Sequence, residues 1–321
     1  MSSGPSPRQA HDGAVVVVTG PTASGKSALA IEIAQRFGGE ILNADSMQVY
    51  RFMDIGTAKS TLAQRALVPH HLFDVVTPDV PYSAGRYARE AREAAARIHA
   101  SGRIVVLTGG TGLYIRSFLD GLIETGPPDP ALRERLEREH REDVAAGRPH
   151  RLYHRLRARD PDAALSIHPN DARRTIRALE IQEAAGEASS QLRSAHGFGD
   201  RPYPRLHLAI DPGREAVNER IDRRCQEMID AGLLREVRAL RDRGYGPELR
   251  PMQAIGYRHI QPVVDGSDTL ANALVAMRKD TRQFARRQRT WLRAVPEAEW
   301  VDPRDCDAIF ARVEAFVRGV D

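Results

Sequence analysis

Gly20, Pro21, Thr22, Ala23, Ser24, Gly25, Lys26 and Ser27 form a glycine-bounded turn ending in a lysine and a hydroxyl. An apolar run precedes the turn and an amphipathic stretch follows it, which is the setting of a P-loop phosphate cradle. The glycines let successive backbone N–H groups turn inward. The following helix contributes the positive potential of its N-terminus, and Lys26 adds a compact mobile charge. Ser27 is placed to hold Mg2+ against the same phosphates. The motif selects a diphosphate or triphosphate group and does not select ATP.

Cradles used for nucleotide hydrolysis are joined by a metal-holding carboxylate after a later apolar strand. Here the apolar run at 104–107 leads straight into Thr108, Gly109, Gly110, Thr111, Gly112, Leu113 and Tyr114, with no acid among them. Routine hydrolysis is therefore disfavoured. Thr111 brings a hydroxyl to the carboxyl edge of the expected sheet, where ligands of such folds bind. A carboxylate reaches that edge elsewhere, at Asp45, directly after a second apolar run at 40–44. It suits a general base or an outer anchor for a metal; the plain alternative is a cap on the following turn.

The elements that must position these groups follow from periodicity. Apolar runs at 15–18, 40–44 and 104–107 read as buried strands, with helical spacing at 27–36 and 84–100. Strands alternating with helices imply a parallel, doubly wound sheet. The expected fold is thus α/β: a P-loop NTPase-like parallel sheet flanked by helices, with an all-helical insertion domain. Residues 1–12 read as a disordered leader and 13–123 as the first part of the core. The insertion spans 124–200 and shows only helical periodicity. The core resumes over 201–300 with a returning strand at 206–210 and helices at 214–231, 233–243 and 271–293. Residues 301–321 form a tail or helix.

Composition narrows the class. Among the 321 residues, no stretch approaches the roughly 18 apolar residues of a membrane helix. Two cysteines, Cys225 and Cys306, are too few for a disulfide framework or a four-ligand zinc site, which suits a cytoplasmic location. The pair His70 and His71 reads as structural. Lysine occurs only at positions 26, 59 and 279, so its presence in the cradle stands out. Net charge is +4, but residues 278–293 carry seven basic side chains against Asp280 alone. Such a block suits a polyanion, although a solvated helix face accounts for it equally well.

Taken in order, several segments resemble the tRNA dimethylallyltransferase family. They are the cradle itself, Asp45-Ser46-Met47-Gln48-Val49-Tyr50, Asp54-Ile55-Gly56-Thr57-Ala58-Lys59, Pro69-His70-His71-Leu72 and the Gly109-to-Tyr114 run. Further on come His168-Pro169-Asn170-Asp171, Arg177-Ala178-Leu179-Glu180, Ile255-Gly256-Tyr257 and Arg286-Arg287-Gln288-Arg289-Thr290-Trp291. The resemblance implies that dimethylallyl diphosphate binds with its diphosphate in the cradle, with Mg2+. The exocyclic N6 of an adenosine beside the anticodon, at position 37, then attacks the allylic carbon, and that base must leave its stack to do so. Asp45 would deprotonate the amine and Thr111 would lie near the reacting end. Arg224, or its neighbour Arg223, would stabilise the departing diphosphate. By the same resemblance, tRNA contacts come from Asp45, Ser46, Met47 and Gln48. Arg133, Arg173, Arg174, Thr175, Ile176 and Arg177 join them, with Met252, Gln253, Ala254, Ile255, Gly256 and Tyr257. A surface ion pair is the alternative for Arg133, and Trp291 reads as core. The zinc finger of some longer relatives is missing, so the resemblance implies a bacterial-type enzyme; a monomer is the default expectation.

Three rival readings remain. A P-loop small-molecule kinase is weakened by the missing acid after Leu107. An adenylate isopentenyltransferase would not need the helical insertion or the basic block. A non-catalytic RNA-binding module would have no use for a phosphate cradle.

Overall fold

The computed structural model describes residues 13–122, 129–196 and 201–319. The predicted leader at 1–12 lies outside them. Six strands form one sheet: β1 (Val15–Thr19), β2 (Gly39–Asn43), β3 (His70–His71), β4 (Ile104–Thr108), β5 (Arg205–Ile210) and β6 (Ala298–Val301). Their order is β3-β2-β4-β1-β5-β6, and every pairing is parallel. β1 and β4 are buried along their whole length, which is why they read as continuous apolar runs.

The helices of the main unit are α1 (Lys26–Phe37), α2 (Leu62–Leu67), α3 (Ala84–Ala100) and α4 (Gly112–Leu119). The second half of the chain adds α10 (Arg214–Asp230), α11 (Leu233–Asp242), α12 (Tyr257–Val264), α13 (Leu270–Leu292) and α14 (Cys306–Arg318). One face of the sheet packs against α3, α4 and α10 to α13 through residues such as Tyr87, Phe118, Ile221 and Met277. The other face packs against α1 and α14 through Ile33, Ile309 and Val313. The segment after 301 is therefore a core helix; its Ile309, Val313 and Val317 are all buried.

Residues 120–200 form a second compact unit, against the 124–200 expected. Its helices are α5 (Pro130–Ala145), α6 (Arg151–Arg159), α7 (Pro161–Leu165), α8 (Ala172–Ala185) and α9 (Ser189–His196). They enclose their own core around Leu136, Leu156 and Leu179.

Two strands were not foreseen. β3 has two residues and β6 four, too short for alternation to show. Register places the working loops together. Val18 lies level with Thr108 and with Leu208, and Asn43 lies level with Thr108. The turns after β1, β2 and β4 therefore open at one edge, at the crevice where successive connections run to opposite sides of β1.

Candidate active site

The cradle follows β1 directly. Gly25 caps α1 in the left-handed region at φ 102°, a conformation glycine adopts without strain. Gly20 has no room for a side chain, since an added Cβ would lie 2.4 Å from the Ile210 carbonyl. The Ser24 hydroxyl is buried among protein atoms with no hydrogen-bond partner. Lys26 Nζ donates to the Pro21 carbonyl at 3.3 Å. Burial, with Arg224 nearby, pushes the Lys26 ammonium down to about 8. Beneath the cradle, His207 Nε2 lies 2.9 Å from Thr19 Oγ1, and burial pushes that imidazole down to about 4.

Asp45 lies in the turn after β2. Its Oδ1 accepts from the Met47 N–H at 2.9 Å, while its own N–H donates to Asn43 Oδ1 at 3.0 Å. Burial raises its carboxyl above the usual range, against the opposing pull of the Met47 N–H and of Lys26. The Thr111 hydroxyl accepts from the Ser46 N–H at 2.9 Å and donates to Ser46 Oγ at 3.1 Å. Thr111 thus pins the Asp45–Ser46 turn to the loop after β4.

Arg224 points the α10 side of the cavity at the cradle, with Nη1 3.3 Å from Thr22 Oγ1. Arg223 is exposed and lines neither cavity at the cradle, whereas Arg224 lines both. A cavity of about 230 Å³ is lined by Lys26, Ser27, Asp45, Thr108 and Arg224. A second, of about 500 Å³, shares Thr22, Asp45 and Arg224 with it. This larger space continues past Ser46, Met47 and Thr111 to an apolar wall of Cys225, Met228, Met277 and Phe284. The cradle therefore opens into a space with an apolar wall on one side, with a carboxylate at the junction.

A profile of the IPP transferase family matches residues 48–295, and one of the isopentenyl transferase family matches residues 13–66. A tRNA dimethylallyltransferase of Desulfosudis oleivorans is 47% identical over 291 residues, 91% of this chain and 91% of that protein. Another, of Desulfatibacillum aliphaticivorans, is 44% identical over 303 residues, 94% of this chain and 98% of that protein. The chain belongs to the tRNA dimethylallyltransferase family.

Solved structures of that family agree. The tRNA isopentenylpyrophosphate transferase of Bacillus halodurans is 34% identical with a TM-score of 0.70, covering 96% of this chain and 98% of that one. A eukaryotic dimethylallyltransferase described as acting on tRNA is 30% identical with a TM-score of 0.75, covering 90% and 73%.

Against the family resemblance, the expected site residues sort into three groups. The cradle, Asp45, Ser46, Met47, Gln48, Thr111 and Arg224 come together, as do Gln253, Ala254, Ile255 and Gly256 at the larger cavity. Met252 and Tyr257, expected to touch tRNA, are fully buried instead. The Tyr257 hydroxyl donates to Glu236 Oε1 at 2.7 Å, and Glu236 also accepts from the Asp54, Ile55 and Gly56 N–H groups. These two side chains shape the cavity wall from behind. In the helical unit, Thr175 and Ile176 are buried, 1% and 7% exposed, so their side chains serve its packing and do not face a ligand. Arg133 and Arg177 both pair with the buried Glu180, at 2.6 and 3.2 Å, which is the ion-pair alternative for Arg133. Arg173 and Arg174 are exposed.

The basic block divides in the same way. Arg282 pairs with Asp222 and Arg289 with Asp211, while Asp280 holds Arg258 and His259. Arg287 lines the larger cavity, and Arg286 and Arg293 line an open groove beside α10. Gln288, Glu236 and Arg220, which donates to the Ser24 carbonyl at 3.0 Å, were not picked out from the sequence as site residues. Each acts across a separation of about two hundred residues or more, or from behind another element, and no local pattern marks such a role.

Proposed function

We propose that the chain transfers the dimethylallyl group of dimethylallyl diphosphate to N6 of an adenosine beside the tRNA anticodon, at position 37, releasing pyrophosphate. What carries this reading is one junction: the phosphate cradle and Asp45 face a shared space, with Arg224 between them and an apolar wall beyond. The diphosphate sits against the cradle N–H groups, Lys26 and Arg224. The allylic tail lies toward Cys225 and Met277. The bond from the allylic carbon to the diphosphate oxygen breaks as the bond to N6 forms, and N6 gives its proton to Asp45. A positioned base of this kind contributes roughly 10²–10⁴-fold. Lys26 and Arg224 meet the charge that gathers on the leaving group, where preformed charges act most strongly.

Magnesium fits the residues present. Among the described residues no group of three or more His, Cys, Asp or Glu comes together, so the protein alone makes no complete metal cage. Mg2+ commonly binds through few protein groups and the substrate's phosphates, which matches the lone Ser27 hydroxyl at the cradle. When bound, it would supply charge neutralisation at the diphosphate.

The exposed Arg173 and Arg174 of the helical unit and the uncommitted arginines of α13 are the groups we assign to tRNA phosphates. Arg133, held by Glu180, contributes through its exposed part. No helix among the described residues is long and apolar enough to cross a membrane, and both cysteines are free; we take a cytoplasmic monomer as the working state. The test is incubation with labelled dimethylallyl diphosphate and either tRNA or AMP, with ATP consumption followed alongside. Label entering tRNA alone supports the reading. Label entering AMP, or ATP turnover without transfer, refutes it.

A further inference from the structure

Thr22 belongs to the phosphate cradle, yet its backbone N–H is not free for a phosphate. It donates to Gln288 Oε1 of α13 at 2.8 Å. The other end of the same amide, Nε2, donates to the Gly110 carbonyl at 3.0 Å. A donor on one side and an acceptor on the other fix the orientation of the amide. Gln288 is 6% exposed, so neither bond is exchanged with bulk water. The fit leaves no slack: a Cβ added to Gly110 would lie 2.3 Å from Gln288 Nε2, and one added to Gly112 would lie 2.3 Å from the Trp291 ring, one turn further along α13. Gly110 precedes Thr111, whose hydroxyl holds Ser46, and Ser46 follows Asp45. The links therefore run from the cradle through the Gln288 side chain to the loop after β4, and from there through the Thr111 side chain to the turn that carries the carboxylate.

We propose that Gln288 is a positioning residue: it sets the gap between the diphosphate cradle and Asp45. It touches neither the leaving group nor the amine. It joins the cradle to the loop after β4, and that loop holds the Asp45–Ser46 turn through Thr111, so the spacing of cradle and carboxylate follows from both links. The proposal rests on the cavity being a diphosphate cradle facing Asp45, and binding of inorganic pyrophosphate to the wild type tests that reading by itself.

The experiment compares wild type, Gln288→Leu and Gln288→Glu, each also in an Asp45→Asn background. It records kcat, KM for dimethylallyl diphosphate, pyrophosphate affinity and thermal unfolding. A misplacement near 1 Å costs about 10²-fold in rate, so kcat of Gln288→Leu falls roughly 30- to 100-fold. Its KM and its pyrophosphate affinity stay within about threefold, because the remaining cradle N–H groups are untouched. Gln288→Glu keeps the acceptor for Thr22, loses the donor to Gly110, and loses kcat as well; it keeps the question open to test should the leucine variant not fold. In the Asp45→Asn background the Gln288 change costs no more than about threefold, since a residue acting through the carboxylate has nothing left to place. Two results would overturn the proposal: a kcat within about threefold of wild type in both Gln288 variants, or the same large loss with and without Asp45.

Discussion

Replacing Gly109 by alanine puts the geometry of the junction to its hardest test. Gly109 is the first residue after β4, and a Cβ there would lie 2.2 Å from the Ala44 carbonyl carbon and 2.3 Å from its oxygen. Ordinary contact begins at 3.4 Å, so 3.4 − 2.2 leaves 1.2 Å to be found. The obstacle is backbone and cannot rotate aside. Ala44 is tied on both sides: its N–H donates to Thr108 at 2.7 Å, and its carbonyl accepts from Thr111 at 3.1 Å. Either the end of β2 moves, taking Asp45 with it, or the loop after β4 moves, taking Gly110 and Thr111. Both routes change the spacing on which transfer depends, and a shift of about 1 Å costs roughly 10²-fold. Overpacking of this kind also costs about 1–3 kcal/mol of stability. Transfer of labelled dimethylallyl to tRNA and thermal unfolding measure the two effects separately. Gly85→Ala in the first turn of α3 is the control, because its Cβ would meet nothing nearer than 3.9 Å. That variant retains full activity and gains up to about 1 kcal/mol. Gly109→Ala with transfer within about threefold of wild type would refute the argument that a fixed spacing carries the chemistry.

Three further predictions follow from the charges. Asp45→Asn loses about 10²–10⁴-fold in transfer, and at pH 7 it unfolds at a higher temperature than wild type. Burial raises the folded carboxyl above its ordinary 3.8, so the native state holds the proton more tightly than the unfolded chain does. Stability is therefore lost as pH rises through that window, and the neutral isostere restores it; a lowered melting temperature at pH 7 would contradict this. The Lys26 ammonium, down at about 8, loses its charge as pH rises past that value, so pyrophosphate binding weakens by about tenfold per unit above it, and calorimetry in buffers of different ionisation heat shows proton uptake. Over the same range, from 8 toward the unfolded 10.5, the free protein gains stability, because only the unfolded chain still holds the proton; an affinity flat from about pH 7 to 9.5 refutes both statements. Arg224→Met lowers pyrophosphate affinity and kcat together, whereas Arg223→Met, one residue away and exposed, leaves both within about twofold.

How far the sequence carried depended on whether a feature was local. The cradle is eight consecutive residues with a strand before and a helix after, and each part constrains the others. β1 and β4 were legible because burial on both faces leaves nothing but apolar residues. α3 was legible because its repeat of alanines and charged residues runs for seventeen positions. Asp45 was legible through its place at a strand end and through the Asp45-to-Tyr50 segment that it opens. What could not be read is long-range. The partnership of Gln288 with Thr22 spans 266 residues. Burial of Met252, Tyr257, Thr175 and Ile176 is decided by which way a turn or helix faces its core. A family motif reports that a residue type is needed there, but not whether its side chain meets the ligand or the protein behind it.

The charges around the cradle do not balance among themselves. Burial disfavours the charge of both Lys26 and Arg224, and Arg224 further lowers the proton affinity of Lys26. Asp45 lies close enough to be felt by both, yet burial still raises its carboxyl. Three charges thus occupy one desolvated space, two positive and one negative, and no internal pairing satisfies them. Removing any one would relax the free protein. On the proposed reading, a diphosphate beside Lys26 and Arg224 supplies negative charge at the cradle, while Asp45, which lines both cavities, is left for the amine. That division of labour suits a reaction in which one end of the donor must gather charge while the amine gives up a proton at the other. An ordinary nucleotide hydrolase has no need of a carboxylate so placed, and a passive RNA-binding surface has no need of buried charge at all. The arrangement costs the resting protein stability, and it returns that cost when the donor binds.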